Sequence, residues 1–163
     1  AQRLRGFECT VLAYDKYTSG FGNEWVKEVS LEEIQAKANV ISFHVPLTEE
    51  THYYLNADFV EVCHVKPYII NTARGNVVET EALIKGLKSD QLSGACLDVL
   101  EYESSAFEND FQNNMSSTMQ YLVKSTNVIL SPHVAGWTVE SYEKLSLFLL
   151  EKIRANFYSF IST

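Results

Sequence analysis

The chain has 163 residues, 46% of them apolar, which suits one folded domain with a buried core rather than a disordered segment. Its 21 acidic residues outnumber 13 basic ones, the net charge is −8 and no Lys/Arg run appears. Neutralising a phosphate backbone needs clustered cations, so nucleic acid is excluded as an expected partner. Cys9, Cys63 and Cys96 are widely spaced and form no Cys-x-x-Cys. They read as reduced, mostly buried thiols of a cytoplasmic protein, with no metal site expected. No apolar run is long enough to cross a bilayer, so no membrane partner is expected.

Residues 1–6 read as the last turns of a helix, with Gly6 as its stop. Cys9–Asp15 reads as a buried strand ending in an acid, and 16–24 as a loop turned by Gly20, Gly22 and Asn23. Trp25–Val29 is a short edge strand. Ser30 with Glu33 forms a capping box that opens a helix through Ala38. Val40–Val45 is a strand stopped by Pro46. Asn56–His64 is a short helix with Ala57, Val60 and Cys63 inward. Lys66-Pro67 turns the chain into the strand that begins at Tyr68 and ends at Arg74. Thr80–Lys88 is a helix with Ala82, Leu83 and Leu87 on one side, and Gly94–Val99 is a strand. Residues 104–126 read as a long polar loop holding one helical turn, Val128–Leu130 as the last strand, and Thr138 to about Phe160 as a long helix. Strands alternate with helices and mostly lack polar/apolar alternation, so a mostly parallel α/β sheet covered on both faces is predicted.

In such a sheet, ligands bind beyond the carboxyl ends of the strands. The residues able to do chemistry collect there. Asp15 closes the first strand, where an acid suits a ribose diol. His44-Val45-Pro46 closes the next, and Pro46 fixes the chain direction against a cleft. Asn71-Thr72-Ala73-Arg74-Gly75 follows a β-branched run, and the forked guanidinium of Arg74 can grip a carboxylate by two parallel hydrogen bonds. Asp98, Glu101 and Glu103 cluster after the following strand. One of them, buried against a histidine, would orient its ring and favour its charged form. Ser131-Pro132-His133-Val134-Ala135-Gly136 follows the last strand. His133 there suits acid/base work near neutral pH, and Gly136 permits a tight backbone.

Taken in order, these motifs resemble the D-isomer-specific 2-hydroxyacid dehydrogenase family. The order is Asp after a strand, His-x-Pro-x-Thr, Asn-Thr-Ala-Arg-Gly, Gly-Ala-Cys-Leu-Asp-Val-x-Glu-x-Glu and Ser-Pro-His-x-Ala-Gly-x-Thr. The resemblance implies a doubly wound, Rossmann-type NAD-binding domain over residues 1–137. It implies a helix over 138–163 that returns toward a separate substrate domain. It implies hydride transfer between NAD and C2 of a small D-2-hydroxy or 2-oxo acid. By the same resemblance Arg74 anchors the substrate carboxylate, His133 is the acid/base, and Glu103 pairs with His133, while Glu101 falls out of register. Asp15 meets the adenosine ribose, Asp98 the nicotinamide end, and His44, Pro46, Thr72, Ala73 and Gly136 line the cofactor cleft. Family members are commonly homodimers. The family also includes corepressors that use this fold as an NAD-sensing protein-binding module, which is the alternative reading.

The sequence departs from the pattern in one large respect. The family's Gly-x-Gly-x-x-Gly loop and first strand are not among these residues. In the doubly wound order that strand lies between the strand ending at Asp15 and the one ending at Val45. The expectation is therefore a domain truncated at its N-terminus, with a gap one strand wide. This chain alone is expected to bind NAD weakly or not at all and to lack dehydrogenase activity.

Overall fold

The computed structural model describes residues 1–102 and 116–161, and within them strands and helices alternate as predicted. A 3-10 helix at Gln2–Phe7 leads to β1 (Leu12–Ala13) and β2 (Lys27–Glu28). Gly6 lies inside that helix rather than after it, and the left-handed stop falls on Glu8 at φ 53°. The strand expected over Cys9–Asp15 contracts to two residues, paired in parallel with β2.

Helix α1 (Leu31–Lys37) begins where its cap was expected, with Ser30 Oγ accepting from the Glu33 amide at 3.3 Å. Then come β3 (Val40–Phe43), α2 (Ala57–Glu61), β4 (Tyr68–Asn71), a 3-10 turn at Gly75–Val77 and α3 (Thr80–Lys88). The chain continues through β5 (Gly94–Leu97), α4 (Ser117–Lys124), β6 (Val128–Leu130) and α5 (Val139–Ile161). Helix α4 replaces part of the expected loop. Ser116 caps it by accepting from the Met119 amide, and Leu122 is buried. On α2 the buried pair is Phe59 and Val60, while Ala57 faces solvent.

Strands β3-β4-β5-β6 form one fully parallel sheet, and β1-β2 form a second. No strand of one sheet pairs with a strand of the other among the described residues. In the larger sheet Val40 aligns with Tyr68 and Gly94, and Ser42 with Ile70, Cys96 and Ile129. The opposite face carries Ile41, Ile69 and Ala95, all buried. They pack with Phe59 and Val60 of α2, Leu83, Ile84 and Leu87 of α3, and Leu122 of α4 in one hydrophobic core.

The parallel sheet is as predicted, but its two faces are covered unequally. Val40, Tyr68 and Ile129 are 53%, 51% and 66% exposed on the face away from α2–α4. Burial therefore alternates along β3, contrary to the expectation of strands buried on both sides. The apolar residues of α5 are also exposed, including Leu145, Phe148 and Leu149. Of the three thiols, Cys9 is exposed and Cys63 and Cys96 are half-buried, so the expectation of mostly buried cysteines does not hold.

Candidate active site

Parallel strands bring their carboxyl ends to one edge of the sheet, and that topology positions the site. At the end of β4, Asn71 is fully buried. Its side-chain oxygen accepts from the Ala73 amide at 3.0 Å, and its amide nitrogen donates to the Arg74 carbonyl at 2.9 Å. This Asx turn reverses the side chains beyond the strand. Ala73 is tucked in, while Thr72 and Arg74 face solvent. One terminal guanidinium nitrogen of Arg74, Nη1, donates to the Ala73 carbonyl at 2.7 Å, which orients the guanidinium. Asn71 belongs to the Asn-Thr-Ala-Arg-Gly motif, and its turn-forming role emerges only from the structure. An Asn at a strand end, two residues before the tucked-in Ala, is the signal that would have shown it.

The next turn requires glycine. A Cβ on Gly75 would lie 2.0 Å from the Leu100 carbonyl oxygen and 2.6 Å from the Glu101 amide nitrogen. The Arg74 turn therefore presses directly on the segment beyond β5.

Asp98 is the buried acid of that segment, 5% exposed. One carboxylate oxygen accepts from Ser131 Oγ at 2.6 Å and from the Val134 amide at 2.9 Å; the other accepts from the Ala135 amide at 2.9 Å. The Asp98 carbonyl also accepts from the His133 amide at 2.9 Å. Burial acts to raise the Asp98 carboxyl. The hydrogen bonds from Ser131, Ala135 and Val134 together outweigh it and hold the group below the usual carboxylate range. Four contacts thus tie Asp98 to the turn that carries His133. That turn needs holding, because His133 adopts φ 55°, a left-handed conformation that costs a non-glycine residue about 1 kcal/mol or more. Gly136, expected to relieve a tight backbone, has no positive φ, and a Cβ there would meet nothing within 4 Å. The strain sits on the histidine instead. Ser131 is a site residue that the sequence motif contained without revealing its role.

Glu103 lies outside the described residues. Glu101 lies within them, and both of its oxygens are engaged away from His133. One accepts from the Tyr53 hydroxyl and the other from the Thr80 amide at 3.0 Å. At the β3 end, His44 is exposed with Nε2 2.9 Å from Ser42 Oγ, and the Pro46 carbonyl accepts from Thr51 Oγ1 at 2.6 Å. At the β1 end, one oxygen of Asp15 accepts from the Tyr17 and Thr18 amides at 2.8 and 2.9 Å. These two backbone bonds hold its carboxyl below the usual range. Neighbouring Lys16 turns to Glu50 at 2.9 Å. Among the described residues no group of His, Cys and acids is arranged to hold a metal, and no helix is long and apolar enough to cross a membrane.

The edge therefore carries an arginine three residues past β4 and a histidine three residues past β6, with β5 between them. Two strand spacings separate those strands, about 10 Å. Comparison with known proteins gives the chain its family. The D-lactate dehydrogenase of Treponema pallidum is 32% identical over 147 residues, which are 89% of this chain and 44% of that protein. The D-specific alpha-keto acid dehydrogenase of Enterococcus faecium is 36% identical over 143 residues, 86% and 43% of the two chains. The solved structure of a D-2-hydroxyisocaproate dehydrogenase superposes with a TM-score of 0.83 at 30% identity, covering 99% of this chain and 49% of that one. An NAD-complexed D-isomer specific 2-hydroxyacid dehydrogenase from Lactobacillus delbrueckii ssp. bulgaricus gives 0.83 at 28% identity, with 93% and 46% covered. The chain spans less than half the length of these relatives. With the sequence profile "D-isomer specific 2-hydroxyacid dehydrogenase, NAD binding domain" matching residues 1–135, the chain belongs to the D-isomer-specific 2-hydroxyacid dehydrogenase family, in its NAD-binding portion.

Proposed function

We propose that the protein carrying this chain is an NAD-dependent oxidoreductase acting at C2 of a small D-2-hydroxy or 2-oxo acid. The observation that carries this reading is the flanking of β5 by Arg74 and His133, each on a turn braced by its neighbours. Residues along the edge fit a dinucleotide. Asp15 lies exposed at the end of β1 with its carboxylate oriented by the Tyr17 and Thr18 amides, which suits a ribose diol. Lys16 is drawn to Glu50, so it does not favour a 2′-phosphate, and NAD is preferred over NADP. His44, Pro46, Thr72, Ala73 and Gly136 would line the cleft, and Asp98 would act at the nicotinamide end by holding the 131–135 turn.

NAD, when bound, supplies the hydride chemistry. Arg74 holds the substrate carboxylate through its fork and polarises the 2-oxo group. His133 gives a proton to the oxygen at C2 in reduction and takes it back in oxidation. Glu103 pairs with the imidazolium and stabilises it. Helix α5 presents Leu145, Leu149 and Ile153 as a face for the remainder of a longer protein, in keeping with relatives about twice this length. A homodimer in the cytoplasm is the setting we infer, with three free cysteines in keeping with a reducing compartment.

His133→Ala in the protein carrying this chain is expected to lower NADH-dependent reduction of 2-oxo acids by about 10²–10⁴-fold. Near-normal turnover in that variant with every 2-oxo acid tested would overturn the reading.

A further inference from the structure

We infer that Glu101 is a positioning residue for Arg74: its carboxylate clamps both ends of the bracket that supports the arginine turn. The inference rests on Arg74 being the substrate anchor proposed above.

The bracket consists of two short segments hydrogen-bonded side by side, with a single parallel bridge between Leu55 and Val78. The Tyr53 amide donates to the Asn76 carbonyl at 2.8 Å, the Leu55 amide to the Val77 carbonyl at 3.0 Å, and the Glu79 amide to the Leu55 carbonyl at 2.9 Å. Residues 53–55 thus pair with 76–79 immediately after Arg74. Glu101 grips this pair at opposite ends. One oxygen takes the Tyr53 hydroxyl, and the other takes the Thr80 amide at the start of α3. That amide has no local cap, since the residue at the N-cap, Glu79, makes no side-chain capping bond. Glu101 supplies the cap from 21 residues away.

The clamp also holds strain. Tyr53 sits at φ 52°, a conformation a bulky residue keeps only when its surroundings enforce it. The Asn76 carbonyl fixes its backbone and Glu101 fixes its ring. Gly75 completes the arrangement, because its α-carbon abuts the Leu100–Glu101 peptide with no room for a side chain. The segment after β5 therefore braces both chemical turns, with Asp98 holding the His133 turn and Glu101 holding the Arg74 turn. The Glu101 hydrogen bond pushes the Tyr53 phenol up to about 12, which gives the clamp a spectroscopic signature.

Backbone amide spectra of the ¹⁵N-labelled chain and the ionisation of Tyr53 test this. In Glu101→Ala, the Arg74, Gly75 and Thr80 amides are expected to shift while those of β1 and β2 stay in place. Tyr53 ionisation is expected to fall toward its ordinary value near 10. Glu101→Gln retains hydrogen-bonding capacity toward both partners, so the amides should return toward wild type without the raised phenol. Tyr53→Phe, which removes only a hydroxyl, should shift Arg74 and Gly75 partway even if the alanine variant does not fold. In the protein carrying this chain, Glu101→Ala should raise KM for the 2-oxo acid about tenfold and leave KM for NADH unchanged. Unmoved Arg74 and Gly75 amides in the variants that fold, or a fall in kcat with both KM values intact, would overturn the inference. If wild type turned over no 2-oxo acid, the proposed function would fail, and the amide spectra would still decide the role of Glu101.

Discussion

Replacing Asp98 probes the part of the site with the most hydrogen bonds at stake. In Asp98→Ala the Ser131 hydroxyl and the Val134 and Ala135 amides lose a charged acceptor together. A hydrogen bond to a charged group is worth about 1.5–3 kcal/mol, so three in full would exceed 4 kcal/mol. Ala135 is exposed and Ser131 half-buried, so water satisfies part of what is lost. The half-buried Val134 amide and the void beside it remain, and we expect a net loss of about 3 kcal/mol. Asp98→Asn is milder. Its one carbonyl oxygen can still serve Ser131 and Val134, but its NH₂ then faces the Ala135 amide, donor against donor, for a loss of about 1–2 kcal/mol. The pH dependence has a definite sign. The folded carboxyl lies below its ordinary value of 3.8, so between the two values the unfolded chain binds the extra proton. Asp98 therefore contributes its full stabilisation above about pH 5 and loses it as pH falls through the folded value. Urea denaturation followed by circular dichroism, at neutral pH and near pH 3, measures both effects. A loss under 0.5 kcal/mol in Asp98→Ala, or a wild-type advantage over Asp98→Asn that is undiminished in acid, would refute the assignment.

Two further substitutions test the frame behind the site. Gly75→Ala should destabilise the chain by about 3 kcal/mol, because its methyl would sit 2.0 Å from a backbone oxygen that cannot rotate away. Gly136→Ala, with nothing within 4 Å, should be close to neutral in the same denaturation assay, and equal effects would show that the Gly75 contact is not as described. Leu83→Ala empties a fully buried position between α3 and the sheet and should cost about 2–5 kcal/mol, whereas a loss below 1 kcal/mol would place Leu83 outside the core.

Much of this was legible in the sequence, and the limits have physical causes. The Ser30 cap and helix α3 follow from local chemistry, a capping box and an apolar face, whereas β3 and β4 stop at Phe43 and Asn71, short of the expected ends at Val45 and Arg74, because the turns that end them are set by side-chain hydrogen bonds such as those of Asn71. Arg74 and His133 were recognisable because each follows a short apolar run at fixed spacing. Helix α4 exceeds the single turn expected there because the Ser/Asn-rich stretch before it reads as loop, and its inward face is short, with Leu122 buried and Met119 and Tyr121 packed beside it. The open face of the sheet was missed because Val40, Tyr68 and Ile129 read as buried strand residues; their exposure depends on which elements pack above them, which no strand encodes. Glu101 and Ser131 were invisible in their roles because their partners, Tyr53, Thr80 and Asp98, lie 21 to 48 residues away. Side-chain clamps over such distances leave no local pattern. The left-handed backbone at His133 had no signal either, since glycine at 136 drew the expectation to itself.

The central claim is that Arg74 and His133 act on one small acid at the edge between β4 and β6. A double-mutant cycle in kcat/KM for 2-oxo acid reduction, using Arg74→Lys, His133→Gln and the pair in the protein carrying this chain, addresses it most directly. Each single change should lower kcat/KM by about 10²-fold or more, and the pair should fall well short of the product of the two, because both groups serve the same transition state. Losses that multiply independently, or an Arg74→Lys variant with wild-type kcat/KM, would contradict it.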